Sequence, residues 1–147
     1  MLEQIIKQLV QSKADITKKT RKVSADSYPK LRTEFSVKVK DYQVCLEQEA
    51  RGWYTQGGDF SDAERGTNYT YRIRVIHEEE EIFSKKIGEL QTQVFYFRTP
   101  AEESPIKIVG RGHNLFERIS KRYNAQEKAR KKELLKDLMN QALRLKQ

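Results

Sequence analysis

An α+β fold, with an N-terminal helix, an antiparallel sheet of four or five strands and two C-terminal helices, is predicted by three features of this 147-residue sequence. Apolar residues recur at helical spacing near both ends, and they alternate with polar residues through the middle. The alternating stretches are joined by short links, as an antiparallel meander requires. A single domain spanning residues 1–147 is expected from the length. Charged residues make up 34% of the chain, above the roughly 25% of an ordinary soluble domain. Leu, Ile, Val and Phe still exceed the ~20% below which chains fail to bury a core.

Leu2, Ile5, Ile6, Leu9, Val10 and Ile16 form one apolar stripe and predict a first helix of about 15 to 20 residues. Its cationic end, residues 18–22, would lie near the negative pole of the helix dipole. Pro29 pushes Tyr28 out of helical angles, so residues 24–29 read as a connector. Phe35, Val37 and Val39 alternate with polar neighbours as a half-buried strand, and Tyr42, Val44 and Leu46 continue the alternation. Phe35, Val39, Tyr42, Leu46, Ala50 and Trp53 also fit a helix, which leaves residues 40–54 open between the two, although their β-branched and aromatic content favours a strand. Residues 56–67 are a glycine- and acid-rich loop.

Tyr69, Tyr71, Ile73 and Val75 mark a second strand and residues 90–99 a third, while Ile106, Ile108 and Val109 suggest a short last one. Between the second and third, the acidic run 78–81 crosses a turn or rides an edge. Phe35, Val37, Tyr71, Ile73, Val94 and Tyr96 are the predicted core of the sheet. Asn114 with Glu117 and Asn124 with Glu127 are two capping-box patterns, one for each closing helix. In the second of these, Leu134, Leu135, Leu138, Met139, Ala142, Leu143 and Leu145 cover a broad arc, preceded by Lys128, Arg130, Lys131 and Lys132.

Several chemistries find little support. A lone Cys45 excludes an internal disulfide and multi-cysteine metal sites, and only His77 and His113 are available as imidazole ligands. There is no apolar run of ~20 residues for a membrane span, and the N-terminus lacks the basic start and apolar centre of a signal peptide. The expected setting is therefore cytoplasmic, intracellular and reducing, or inside a viral particle. No cofactor, no metal and no membrane contact are expected.

The glycine turn 110–112 runs into a helix start beside Arg111, which would suit a phosphate, but it lacks the lysine of a P-loop and the third glycine of a dinucleotide fingerprint. Asp59, Ser61 and Asp62 resemble turn and cap residues more than cation ligands. His113 has no partner marked by sequence, and Cys45 sits in an apolar strand as a small hydrophobe. Aromatic and basic residues interleave at 69–74 and 95–98, as on a base-stacking sheet, without an RNA-recognition signature.

Net charge is +8, distributed as +5 over residues 1–32, −4 over 33–110 and +7 over 111–147. Basic ends around an acidic centre allow copies or partners to dock. The expected function is a non-catalytic assembly or structural subunit of a larger complex, a viral particle or multiprotein machine. It would form a homo-oligomer or hetero-complex through Leu134, Leu135, Leu138, Met139, Ala142 and Leu145. The alternative is a sequence-nonspecific DNA- or RNA-binding accessory protein, with Lys128, Arg130, Lys131 and Lys132 on phosphate and Arg111 and Arg122 in support. A hydrolase or transferase has only His113 and the glycine turn behind it.

Overall fold

The computed structural model describes residues 1–23, 30–55, 64–95 and 102–146. A short helix α1 (Leu2–Gln11) is followed by strands β1 (Thr17–Lys22), β2 (Lys30–Val39), β3 (Tyr42–Thr55), β4 (Glu64–His77), β5 (Glu80–Phe95) and β6 (Glu102–Gly110). A 34-residue helix, α2 (Gly112–Leu145), closes the chain. The strands form one sheet in the order β1-β2-β3-β4-β5-β6, every pair antiparallel. The α+β class, the N-terminal helix and the antiparallel sheet agree with the sequence. Among the described residues the strands number six rather than four or five, and one C-terminal helix stands where two were expected.

The extra strand is β1. Its sequence TKKTRK has no apolar residue and is exposed throughout, so no alternation marks it. It is a strand because its backbone completes the edge of β2, from Thr17 opposite Ser36 to Lys22 opposite Leu31. Cations on such an edge also deter further strand pairing. The first helix is correspondingly shorter than predicted. Ser12 takes extended backbone (φ −60°, ψ 134°), and Ile16 is buried as the residue entering β1.

Residues 42–55 are strand, which excludes the helical alternative: Val44 pairs with Val37 on one side and Val75 on the other. The run 78–81 crosses a tight turn, with Glu78 and Glu79 both at positive φ (50° and 68°). Such angles suit a two-residue hairpin but usually select glycine or asparagine. β5 thus begins earlier than the apolar stretch at 90–99 implied. The predicted connector at 24–29 and Asp59, Ser61 and Asp62 lie outside the described residues.

Three buried rows cross the sheet on one face: Val37–Val44–Val75, Phe35–Leu46–Ile73 and Gln48–Tyr71, with Gln48 half-buried. Leu9 of α1 and Leu115, Phe116 and Ile119 of α2 cover them. Phe116 packs between Phe35 and Tyr71, at ring-centroid distances of 5.0 and 5.6 Å. Of the predicted core, Phe35, Val37, Tyr71 and Ile73 are buried and Val94 is half-buried. Tyr96 lies outside the described residues.

Neither capping box starts a helix. The N-cap position falls to Arg111 without a side-chain cap, and Asn124 lies inside α2. A cap requires its first residue to leave helical angles. Residues 118–133 contain no glycine or proline and are mostly Ala, Arg, Lys, Glu and Gln, which stay helical at little cost. Tertiary contacts then hold the helix across the supposed break. Arg122 Nη1 donates to the Leu9 and Val10 carbonyls (3.2 and 2.9 Å) and Nη2 to that of Ser12 (2.7 Å). Carbonyls at a helix C-terminus lack intrahelical partners, and a cation is favoured at that pole. Gln126 accepts from the Ile16 N–H (2.8 Å) and donates to the Ile16 carbonyl (3.0 Å), so its amide extends the sheet's bonding by one residue.

Candidate interaction surfaces

These contacts send α2 across the sheet and out past the β1 edge. From Lys128 to Lys146 every side chain is exposed, Leu138 at 60% and Leu145 at 88%. At about 100° per residue, Leu134, Leu135, Leu138, Met139, Ala142, Leu143 and Leu145 share one half-circle. The residues that seat the helix on its sheet, Leu115, Phe116, Ile119 and Tyr123, are centred roughly a third of a turn away. The outer apolar face is therefore no continuation of the inner one, and it faces away from the chain's own core.

Lys128, Lys131 and Lys132 fall on the same half-circle as the leucines, one to two turns earlier. None of the three makes an ion pair among the described residues. Arg130 instead turns back to Glu127 (2.8 Å), and this contact holds the Glu127 carboxyl below its ordinary range. The two supporting arginines are engaged elsewhere: Arg122 by the end of α1, and Arg111 by Glu3 (2.5 Å). The fold brings the start of β1 against α2. Lys18 Nζ lies 5.7 Å from the Tyr123 ring, and the Gln126–Ile16 bonds tie α2 to the start of β1. Lys18 thus meets α2 on the covered face, whereas Lys19 and Arg21 line the opposite, open face with Arg32, Glu34 and Arg74.

The interleaved aromatic and basic residues do not make one stacking surface. Strand alternation puts Tyr69 and Tyr71 on the covered face and Arg72 and Arg74 on the open one. The side chains at 95–98 lie outside the described residues. The open face is a lattice of ion pairs. Arg74 contacts Glu81 (2.5 Å), Glu34 (3.1 Å) and Glu47 (3.4 Å), and Arg32 contacts Glu49 (3.0 Å). Arg32 Nε is 3.1 Å from Glu47, yet its N–H is not aligned for a hydrogen bond, so that contact is Coulombic. Burial pushes the Glu49 carboxyl up, but the Arg32 and Lys30 contacts outweigh it and leave it lowered. Beneath the lattice Cys45 is fully buried, and burial, with Glu34 next, pushes its thiol up to about 12.

Gly110 turns the chain at φ +70°, and Gly112 packs so tightly that a Cβ there would meet the Tyr71 Cβ at 2.3 Å. Both glycines thus serve the passage from β6 into α2. His113 faces the core: Gln48 donates to the Tyr71 hydroxyl (3.1 Å), and that hydroxyl shares a hydrogen bond with His113 Nδ1 (3.1 Å). Among the described residues, no group of three or more His, Cys, Asp or Glu side chains is placed to hold a metal, and no helix is long and apolar enough to cross a membrane.

The covered face is left open at one end. An open groove of about 730 Å³ lies between α1 and the β2–β3 turn, lined by Met1, Ile5, Val39, Tyr42, Val44 and Val75, among others. The Tyr42 ring stacks on His77 (4.7 Å), so the β4–β5 turn lies at the same end of the sheet as the groove. Sequence inspection missed this groove, because its walls come from three separated segments. Comparison with known protein families, with curated proteins and with solved structures returns no match.

Proposed function

We propose that this chain is a non-catalytic assembly subunit that docks through the outer half of α2. The observation that carries the reading is a continuous, wholly exposed helical segment with seven apolar residues on one face. A contiguous apolar face of this kind on a rigid element marks an interaction site, whereas scattered exposed leucines need no explanation. Each leucine-sized side chain moved out of water contributes about 1.5–3 kcal/mol, so four or five of them suffice to hold a partner after association entropy is paid. The test is the solution mass of the full chain against that of Leu135→Glu/Leu138→Glu, both exposed sites. The wild type assembles and the variant does not; equal assembly by both overturns the reading.

A second reading, sequence-independent binding to DNA or RNA, is favoured by the all-basic charge of the β1 edge and by the unpaired Lys128, Lys131 and Lys132 on α2, which leaves the sheet beside the start of that strand. It predicts affinity for duplex DNA falling with salt at a log–log slope of roughly −0.9 per phosphate neutralised. Binding that ignores salt contradicts it.

A further inference from the structure

We infer that the partner of the α2 face is a second copy of this chain, and that the outer half of α2 docks head-to-tail into the apolar groove between α1 and the β2–β3 turn. The inference rests on the docking role proposed for α2. The groove continues the sheet face that α1 and the inner half of α2 cover: Val44 and Val75 at its floor are buried, and Tyr42 is 43% exposed. Its Val39, Tyr42, Val44 and Val75 floor beside α1 offers a further helix the kind of seat those two occupy. Helix-in-groove recognition needs an amphipathic helix whose anchors repeat every three or four residues, and Leu134, Leu135, Leu138, Met139, Ala142 and Leu145 supply them.

Charge selects the occupant. Along the docking face of α2, the cations Lys128, Lys131 and Lys132 come first and the apolar anchors follow. At the groove, Lys40 is the one charged side chain of the lining, and the acids Asp41, Glu78, Glu79 and Glu80 sit in and beside the β2–β3 and β4–β5 turns at the same end of the sheet. Glu79 and Glu80 make no ion pair among the described residues, and Glu78 approaches only His77, at 4.0 Å. Two α2 faces packed on each other would bring like charges together, since residues 127–146 carry seven cations and three acids. Pairing tail with groove instead sets unpaired cations against unpaired acids. The helix runs without a break from the sheet to its outer end, so it does not fold back into its own groove.

A contact between two different surfaces is heterologous, and it propagates into rings or filaments instead of stopping at a dimer. That property gives a complementation test by sedimentation and light scattering. The tail variant is Leu135→Glu/Leu138→Glu. The groove variants are Tyr42→Lys and, at fully solvent-facing turn positions that leave the core untouched, Glu78→Lys/Glu79→Lys. The wild type forms species larger than a dimer, and each variant alone stays at the monomer mass of 17.3 kDa. An equimolar mixture of tail and groove variants recovers a species of twice that mass and no larger, because one intact tail meets one intact groove. If both groove variants assemble like the wild type while the tail variant is monomeric, this inference is overturned and the docking role of α2 stands. If the tail variant also assembles like the wild type, both fall. A wild type that stays monomeric at high micromolar concentration overturns the second copy as occupant.

Discussion

At residue scale, buried groups whose chemistry the fold has altered offer the sharpest tests. Cys45 ionises near 9.0 in an unfolded chain and only near about 12 in the folded one. As pH rises through that window the unfolded state releases its proton first, so the folded state loses stability, by up to ~1.4 kcal/mol per pH unit for a single group. Below the window the group contributes no pH dependence. Burial also raises the Tyr71 phenol, which acts in the same direction at higher pH. Urea unfolding across this range should show a shallower alkaline slope for Cys45→Ala than for the wild type; parallel slopes refute the assignment. Arg122 is the second case. Its three charged hydrogen bonds cap α1 from another helix, and Arg122→Met keeps the stem while removing them. A loss of about 2–3 kcal/mol in denaturant unfolding is expected, since charge-assisted hydrogen bonds contribute ~1.5–3 kcal/mol net.

At the scale of elements, α2 is one helix with two energetic halves. Ile119, almost completely buried among Leu9, Phe35 and Phe116, should cost about 2–5 kcal/mol when cut to alanine. Leu138→Ala removes the same kind of side chain from open water and should change monomer stability by no more than ~0.5 kcal/mol. Equal costs in dilute-protein melts would mean that the outer half packs on its own sheet. The β4–β5 turn makes an opposite prediction. A left-handed residue with a side chain costs roughly 1–2 kcal/mol, and glycine avoids this at an entropic cost of ~0.5–1 kcal/mol. Glu79→Gly should therefore stabilise the monomer slightly while weakening assembly, because it also deletes a charge of the acidic turn. A substitution that stabilises the fold and harms association identifies a surface residue held for binding.

The whole molecule is a basic edge and an acidic turn end on one sheet. Replacing Lys128, Arg130, Lys131 and Lys132 with glutamine separates the two partner readings. Loss of assembly with any nucleic-acid binding retained supports the acidic turns of a neighbouring copy as their target. Loss of nucleic-acid binding with assembly intact assigns them to phosphate. Salt should weaken the assembly, because the pairing charges are exposed and lie within reach of a screening length of ~8–10 Å. It should not abolish it, since the leucine anchors strengthen rather than fade as water becomes more salt-laden.

What the sequence determined by itself is whatever local periodicity encodes. The apolar stripe from Leu2 to Val10 specified a helix, and the alternations at 35–39 and 69–75 specified strands together with the buried side chains Phe35, Val37, Tyr71 and Ile73. The arc from Leu134 to Leu145 marked an apolar face, which the fold leaves exposed. The tertiary structure decided what periodicity leaves open. β1 is a strand only because β2 has a free edge, and residues 42–55 are a strand only because two neighbours pair with them. Asn124 stays helical because Arg122 and Gln126, on either side of it, are bonded to the end of α1 and the start of β1. The groove, the acidic turns at its end of the sheet and the contact of α2 with the start of β1, 110 residues away, belong to the same class. They depend on contacts between distant segments, and a pattern read along the chain carries no term for them.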